Sequence, residues 1–126
     1  MQKKNIYNIN KYLLAHLYIN CALKNTILSL TNKEGKLYKQ WSSKSLKKTS
    51  NLKKNSPYNI HLICHKIKKF LLLKKIYCLK IFIKGYGPGR FNVIKNLKSK
   101  KLKIIFIYDL TNLPFNGCRA PKQKRR

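Results

Sequence analysis

The sequence is almost devoid of acidic residues. Two carboxylate side chains, Glu34 and Asp109, accompany 30 lysines and arginines in a chain of 126 residues. The two acids lie in different segments, which disfavours both carboxylate-pair catalysis and hard-cation sites, because these need several oxygen ligands. No nucleophile, base and orienting group stand in a recognisable arrangement either. The composition therefore argues against an enzyme.

The sequence also lacks the cysteine patterns that bind metals or form redox pairs. Its four cysteines show no C-x-x-C spacing, and reduced thiols are expected. His61, Cys64 and His65 admit a zinc site, since the two histidines are one helical turn apart, but no second ligand pair stands at a typical spacing. A surface histidine pair beside a buried cysteine is the favoured interpretation, and no metal or cofactor is expected.

Long hydrophobic runs are missing as well. Apolar runs such as 70–73 are far too short to cross a bilayer. The first residues lack the apolar segment of a secretory signal and the Arg/Ser-rich composition of a transit peptide. The chain is therefore expected to be made where it acts. Its bias toward residues that A/T-rich codons can encode favours an organelle or another reduced genome.

The formal net charge is +28, which repels itself and disfavours the compact state unless a polyanion compensates it. Lysines run from Lys3 to Lys124, whereas binding to an anionic membrane usually concentrates charge on one amphipathic helix. This distribution favours a protein that stays permanently bound to a nucleic acid. Hydrophobic residues make up 44% of the chain, which suffices for the core of a single domain.

The hydrophobic periodicity predicts an α/β fold with the order βββ-α-β-α-β. The elements are three short strands between residues 12 and 41, a helix from 57 to 75, a strand over 76–84, a helix over 90–98 and a strand over 102–108. A basic arm is predicted over residues 1–11, one α/β domain over 12–113, and an extended basic tail over 114–126. Residues 42–55 are rich in Ser, Lys, Thr and Asn and are interpreted as a solvated loop that orders on a polyanion.

Two motifs offer contacts to anions. The glycine-rich turn GYGPGR (85–90) precedes a helix, whose N-terminus presents N–H groups and a positive dipole end. The alternative is a tight strand-to-helix turn with no ligand, and the Lys-Ser/Thr ending of a nucleotide P-loop is absent. The tail NGCRAPKQKRR (116–126) could engage phosphates, and the alternative is a merely solubilising or nuclear-localisation-like tail. Trp41 is left open between base stacking and core packing.

Together these motifs resemble the small-subunit ribosomal protein S-eleven family. The hallmark of that family is a GPGPGR-like turn, a helix, a strand and then D-V-T-P-I-P-H-N-G-C-R-P-P-K. Here the same order appears as GYGPGR at 85–90 and DLTNLPFNGCRAPK at 109–122. Weaker collinear matches upstream are Ala15-His16, Asn25-Thr26-Ile27, Trp41 and the sequence KKNSPY at 53–58. The resemblance covers roughly residues 13–126.

The sequence departs from the family pattern in one loop. The family's loop between the tryptophan and the first helix is glycine-rich, whereas residues 43–51 here read SKSLKKTSN. Charge contact is therefore expected to replace close backbone approach in this loop. Tyr86, Asn112, Phe115 and Ala120 also differ, and Phe115 stands where the family usually has His, so no polar role is expected of it.

The resemblance implies a three-layer α/β/α, ribonuclease-H-like fold with a mixed, mostly five-stranded sheet and no catalytic carboxylates. It also implies a structural role in translation: binding small-subunit rRNA in the platform, near the mRNA exit path and beside neighbouring platform proteins, with no membrane and no small-molecule substrate. A mitochondrial or plastid ribosome is expected, or that of a reduced-genome bacterium. The alternative is a free-standing basic RNA chaperone.

The residues expected to bind rRNA fall at the first helix start and its preceding loop, at the glycine turn and in the tail. They are Lys47, Lys48, Lys53, Lys54, Gly87, Gly89, Arg90, Asn116, Gly117, Arg119, Lys122, Lys124, Arg125 and Arg126. Replacing Arg90 by alanine, or deleting residues 122–126, is expected to weaken rRNA binding with little change in the isolated fold.

Overall fold

A computed structural model describes residues 13–46 and 55–126. The elements are β1 (Leu13–Cys21), β2 (Thr26–Asn32), β3 (Leu37–Ser42), a 3-10 turn (Ser43–Ser45), α1 (Pro57–Leu73), β4 (Ile76–Lys84), α2 (Gly89–Leu97) and β5 (Lys103–Asp109). The strands form one sheet in the order β3-β2-β1-β4-β5. The predicted α/β class, five-stranded mixed sheet and element order are confirmed. The predicted arm 1–11 and the candidates Lys47, Lys48, Lys53 and Lys54 lie outside the described residues.

The sheet is antiparallel on one side of β1 and parallel on the other. β1 to β3 form an antiparallel meander, while β4 pairs in parallel with both β1 and β5. In the central row Leu17 lies beside Leu30 on one side and Ile81 on the other, and all three side chains are buried. The nearly continuous apolar sequence of β4 fits its place between two neighbouring strands.

Helix α1 begins where the sequence predicts it. Ser56 caps the helix by accepting a hydrogen bond from the N–H of Asn59 at 3.3 Å, and Pro57 occupies the first turn, where no donor is needed. Ile60, Ile63 and their helical repeats Ile67 and Leu71 are completely or almost completely buried. This apolar face therefore fixes α1 against the sheet.

Both helices pack against the same face of the sheet. Buried residues of α1 and α2 share one hydrophobic core with Ala15 and its same-face neighbours in the sheet, and the Cys64 Sγ donates to the backbone oxygen of Val93 at 4.0 Å. The two parallel crossovers, β3-α1-β4 and β4-α2-β5, step across the sheet in the same direction. Right-handed crossovers of this kind place both helices on one side. The described residues therefore form two layers, where the resemblance implied helices on both faces.

The opposite face of the sheet carries a row of aromatic rings. Tyr18, Phe82 and Tyr108 stack across three strands, with ring centroids 4.8 and 5.1 Å apart. Their facing positions follow from the strand register. Tyr18 and Tyr108 are exposed and Phe82 is half-buried. Among the helices of residues 13–46 and 55–126, none has the length and apolar character needed to cross a membrane.

Candidate nucleic-acid interface

The glycine-rich turn is pressed against the end of β1. The N–H of Gly87 donates to the carbonyl oxygen of Cys21 at 3.0 Å. A Cβ atom on Gly87 would lie 2.2 Å from the backbone oxygen of Ala22, and one on Gly85 would lie 2.2 Å from that of Cys21. Gly85 also has φ of 97°, in the left-handed region that favours glycine. Internal packing alone therefore requires both glycines.

Gly89 starts α2 in an equally tight place. A Cβ there would lie 2.3 Å from the Thr26 Oγ1, whose hydroxyl donates to the Asn55 Oδ1 at 2.7 Å. The side-chain amide of Asn55 in turn donates to the backbone oxygen of Ala22 at 3.1 Å. These contacts join the N-terminus of α2, the β1–β2 turn and the start of α1. Among the described residues, no side chain forms a capping hydrogen bond at the start of α2.

Sequence reasoning missed the polar residues that hold this junction. The Asn25 Oδ1 accepts hydrogen bonds from the hydroxyls of Ser42 and Ser43 at 3.0 and 2.7 Å, and the Ser43 hydroxyl accepts from the N–H of Thr26 at 3.1 Å. Asn25, Thr26 and Asn55 all fall within the stretches that resemble the family. The resemblance was the available signal, but the partners become visible only once the strands are paired.

Arg90 is held by the protein's own oxygen atoms. Its Nη2 forms an ion pair with the Asp109 carboxylate, and its Nη1 donates to the Gly85 carbonyl at 3.1 Å and to the Thr111 hydroxyl at 3.2 Å. The Thr111 hydroxyl and N–H also donate to the Asp109 Oδ1, at 2.7 and 3.0 Å. The hydrogen bonds from Arg90 and Thr111 hold the pKa of Asp109 well below its usual range, and the same carboxylate raises the pKa of Arg90.

This network gives Arg90 a structural task that sequence reasoning did not foresee. Both terminal nitrogens already have partners, and the side chain is only 21% exposed. Replacement of Arg90 by alanine would therefore break contacts within the fold, contrary to the expectation of little structural change. A contact between Arg90 and a phosphate remains a proposal. The observed role is to join the glycine turn to the end of β5.

The basic tail leaves the fold directly beside the glycine turn. The last sheet-like contact is the N–H of Leu110 donating to the carbonyl of Ile83 at 2.7 Å, and the N–H of Gly85 donates to the Thr111 hydroxyl at 3.2 Å. Residues 112–126 are exposed and contain no helix or strand. The exposed tail residues include the candidates Asn116, Gly117, Arg119, Lys122, Lys124, Arg125 and Arg126. The structure thus brings the glycine turn into contact with Asp109 and Thr111, and the tail continues from these residues.

Trp41 packs against α1. Its ring meets that of Phe70 edge-on, with centroids 5.6 Å apart, and the Lys39 ammonium lies 5.8 Å from both ring centroids. Trp41 is partly buried and packs against the hydrophobic core. Of the two alternatives left open by the sequence, core packing is the one that the geometry supports.

The histidines and the cysteine on α1 are arranged as a surface histidine pair beside a buried cysteine, which is the interpretation that the sequence favoured. His61 and His65 are exposed, and the His61 Nδ1 lies 3.2 Å from the Asn96 Oδ1. Cys64 is buried, and this burial raises the pKa of its thiol to about 12. The Cys64 Sγ donates to the Val93 backbone oxygen in the core, whereas both histidines lie on the exposed side of the helix.

Comparison with known families decides between the interpretations. A family model described as Ribosomal protein S11 matches residues 15–125, which include β2 to β5, both helices, all of β1 except its first two residues, and both motifs except Arg126. The chain belongs to the ribosomal protein S11 family. The resemblance predicted from the glycine turn and the tail is therefore confirmed.

Relatives of the S11 family align over most of the chain. A protein named small ribosomal subunit protein uS11 from Parabacteroides distasonis is 36% identical, over 98% of this chain and 93% of its own length. One of the same name from Flavobacterium psychrophilum is 34% identical, over 89% and 87%. The protein named small ribosomal subunit protein uS11c from Cyanidium caldarium is 35% identical, over 98% and 95%.

Proposed function

We propose that this chain is a structural constituent of the small ribosomal subunit and binds the rRNA of that subunit during translation. Membership of the S11 family and the names of its relatives support this role, which is structural rather than catalytic. The observation that carries the proposal is the joint at Arg90, Asp109 and Thr111. It fixes the start of an exposed cationic tail beside a helix N-terminus, in a chain of net charge +28.

The proposed mechanism assigns different tasks to the two motifs. The glycine turn and Arg90 hold α2 and the end of β5 together, so that the tail starts from a fixed place. The tail then supplies the cations Arg119, Lys122, Lys124, Arg125 and Arg126, whose phosphate contacts release counterions from the RNA. The arginines can bind a phosphate through two nitrogens at once. Lys47, Lys48, Lys53 and Lys54, which lie outside the described residues, are proposed from the sequence alone as further phosphate contacts.

Rigid anchoring makes the tail more effective than a free peptide of the same sequence. A segment that orders on binding loses conformational entropy at that moment. Here the start of the tail is already fixed by Thr111, and Asn116 adopts a φ of 54°, which gives the tail a defined bend. The fold therefore reduces the ordering cost at the residues nearest the sheet.

We also propose where the chain lies within the small subunit. The family resemblance implies a position in the platform, close to the path of the mRNA and beside neighbouring ribosomal proteins. The bias toward A/T-encoded residues favours a mitochondrial or plastid ribosome, or that of a reduced-genome bacterium. The relatives include both uS11c of Cyanidium caldarium and bacterial proteins.

Sedimentation tests the proposal directly. The tagged full chain, expressed in its own cells, should travel with the small subunit through a sucrose gradient and stay there after a high-salt wash. A free-standing RNA chaperone would bind many RNAs and leave the particle. Loss of the chain from the particle at modest salt, or its spread over unrelated RNAs, would contradict the proposed function.

A further inference from the structure

The face of the sheet opposite the helices carries a stack of rings, which we name the ring row: Tyr18, Phe82 and Tyr108. They lie on the adjacent strands β1, β4 and β5, with interplanar angles of 12° and 13° and centroids 4.8 and 5.1 Å apart. These spacings are close to the distance between neighbouring strands, so the rings stand side by side across the sheet. Phe82 meets a ring on each of its faces, whereas each tyrosine meets the row through one face.

Both ends of the ring row have room for another flat ring. At one end, the residue directly beside Tyr18 in β2 is Ser29, whose side chain is small. At the other end, β5 is an edge strand within the described residues, so no further strand lies beyond Tyr108. The two tyrosines are 39% and 41% exposed. Because aromatic rings favour offset stacking, an aromatic ligand can extend the row at either end.

Two lysines flank the ring row on the same face of the sheet. Lys80 and Lys84 stand two residues before and two residues after Phe82 in β4, and strand alternation places all three side chains on one face. The Lys80 ammonium lies 5.7 Å from the ring centroid of Phe106, which belongs to the same face. A ligand stacked on the row therefore has a cation on each side of it.

The electrostatic field on this face is positive. His16 pairs with Lys80 in the strand register, and its pKa is lowered by burial and then by the charges of Lys80 and Lys33. Of the two acids in the chain, Asp109 is already in an ion pair and Glu34 lies in the turn between β2 and β3. An anionic ligand is therefore favoured here.

Aromatic rings between cations select one kind of occupant. Unpaired nucleotides combine flat bases, which stack on aromatic side chains, with phosphates, which bind lysines. In a duplex the faces of the bases are already stacked on one another. The centres of protein–protein interfaces are depleted of lysine, and a second copy of this chain would bring another charge of +28. A single strand of RNA therefore fits this face best.

We infer that the ring row binds unpaired bases of RNA, which extend the stack beside Tyr18 and beside Tyr108, while Lys80 and Lys84 contact the adjoining phosphates. The inference rests on the proposed function for the identity of the natural ligand, which is unpaired rRNA of the small subunit. It adds a second kind of contact to the molecule. The tail meets phosphates, whereas the ring row distinguishes unpaired nucleotides from paired ones.

Binding of short RNA strands to the full chain tests the inference. The probes are end-labelled oligoadenylate of about eight nucleotides and an abasic strand of the same length, which keeps the sugars and phosphates but has no bases. Fluorescence anisotropy at one salt concentration gives both affinities. The tail and the other cations contribute equally to the two strands. We expect oligoadenylate to bind about tenfold more tightly, because one stacked base gives a preference of this size.

Variants locate the preference on the ring row. Combining Tyr18→Leu with Tyr108→Leu removes both outer rings but keeps apolar side chains, and it should abolish the preference for oligoadenylate while leaving the affinity for the abasic strand unchanged. Ser29→Leu keeps both rings but fills the space beside one of them, and it should lower the affinity for oligoadenylate alone. Tyr58→Leu is the matched control at an exposed tyrosine of α1, and it should keep the full preference. The emission of Trp41 verifies that each variant is folded.

The outcomes separate this inference from the proposed function. Equal affinities of the parent chain for the two strands, or a preference that survives the loss of both tyrosines, would overturn the inference alone. In assembled small subunits, p-benzoylphenylalanine in place of Tyr108 should crosslink to rRNA on irradiation, and a crosslink to a protein instead would also overturn it. Absence of the chain from small subunits would overturn the proposed function, while a preference for base-bearing RNA in solution would still support the site.

Discussion

Arg90 and Asp109 form an ion pair that joins the first turn of α2 to the last residue of β5. Asp109 is one of only two acidic residues in the chain, so this carboxylate has no substitute nearby. Because Thr111 bonds to both partners, the pair also fixes the first residues of the tail. The pair therefore connects the stability of the fold with the direction of the tail that we propose to bind rRNA.

The ion pair makes stability depend on acid pH. The pKa of Asp109 in the fold lies below its ordinary value near 4, so its contribution is present above that value and is lost as the pH falls through the lowered pKa. We expect the melting temperature of the full chain to decrease as the pH is lowered below about 4. Asp109→Asn should start from a lower melting temperature and show a weaker dependence over the same range.

Salt provides the control for this measurement. The pair is partly exposed to solvent, so high ionic strength should reduce the difference between Asp109→Asn and the parent chain. Glu34→Gln is the matched variant, since it removes the other acid, for which no contact with Arg90 is seen. If both variants showed the same acid response, the role given to Asp109 would be wrong.

The glycine turn tolerates no side chain at position 87. Gly87→Ala would place a Cβ 2.2 Å from the Ala22 backbone oxygen, and backbone cannot move aside as cheaply as a flexible side chain. We expect a loss of about 1–3 kcal/mol in the free energy of unfolding, measured by denaturant titration. Gly117→Ala is the control, because its Cβ would meet only the Pro114 Cβ at 3.4 Å. Equal effects at the two glycines would contradict the packing argument.

The four cysteines should differ sharply in reactivity. Cys21, Cys64 and Cys78 are buried and Cys118 is exposed, and burial raises the pKa of the Cys21 and Cys64 thiols, which lowers their thiolate fraction. Iodoacetamide at about pH 8, below the usual cysteine pKa, should therefore label one thiol in the folded chain and four after unfolding. Mass spectrometry locates the label, and Cys118→Ser should abolish it in the folded protein.

The same label reports on the tail within the particle. If the tail lies on rRNA, the Cys118 thiol should react more slowly in purified small subunits than in the free chain. Unchanged reactivity after assembly would argue against RNA contact by this part of the tail.

The tail should govern the salt dependence of RNA binding. Deleting residues 122–126 removes four cations, and each lost phosphate contact should flatten the log–log dependence of affinity on salt by about 0.7–0.9. The deleted residues are exposed, so the melting temperature should not change. Filter binding to small-subunit rRNA over a range of salt concentrations measures the slope.

A pair of single substitutions refines this test. Lys124→Ala should flatten the slope, whereas Lys69→Ala, at an exposed position on α1, should leave it closer to that of the parent chain. Equal changes in slope for the two variants would indicate that the position of a lysine does not matter. This result would contradict the role assigned to the tail.

Local sequence signals predicted much of this fold. Ser56 and Pro57 marked the start of α1 because capping depends on residues a few positions apart, and the apolar repeat from Ile60 to Leu71 predicted its buried face. The same holds for the glycine turn before α2. The basic tail also followed from composition and spacing alone.

Relationships between distant segments could not be predicted in the same way. Arg90 and Asp109 are 19 residues apart, and they meet only because β4 and β5 pair in parallel. In the sequence no acidic residue stands near Arg90, so an arginine at the end of a glycine turn suggested a phosphate ligand. The requirement for Gly87 likewise arises from the end of β1, and both helices share one face because of the direction of the crossovers.

Trp41 gives the chain an optical probe of its own. It is the only tryptophan, and it packs against Phe70, at the opposite edge of the sheet from β5 and the tail. Its emission should follow loss of the β3–α1 packing during denaturation, while a ligand on the tail would leave it undisturbed. Unfolding can therefore be followed in an unlabelled sample without interference from RNA bound to the tail.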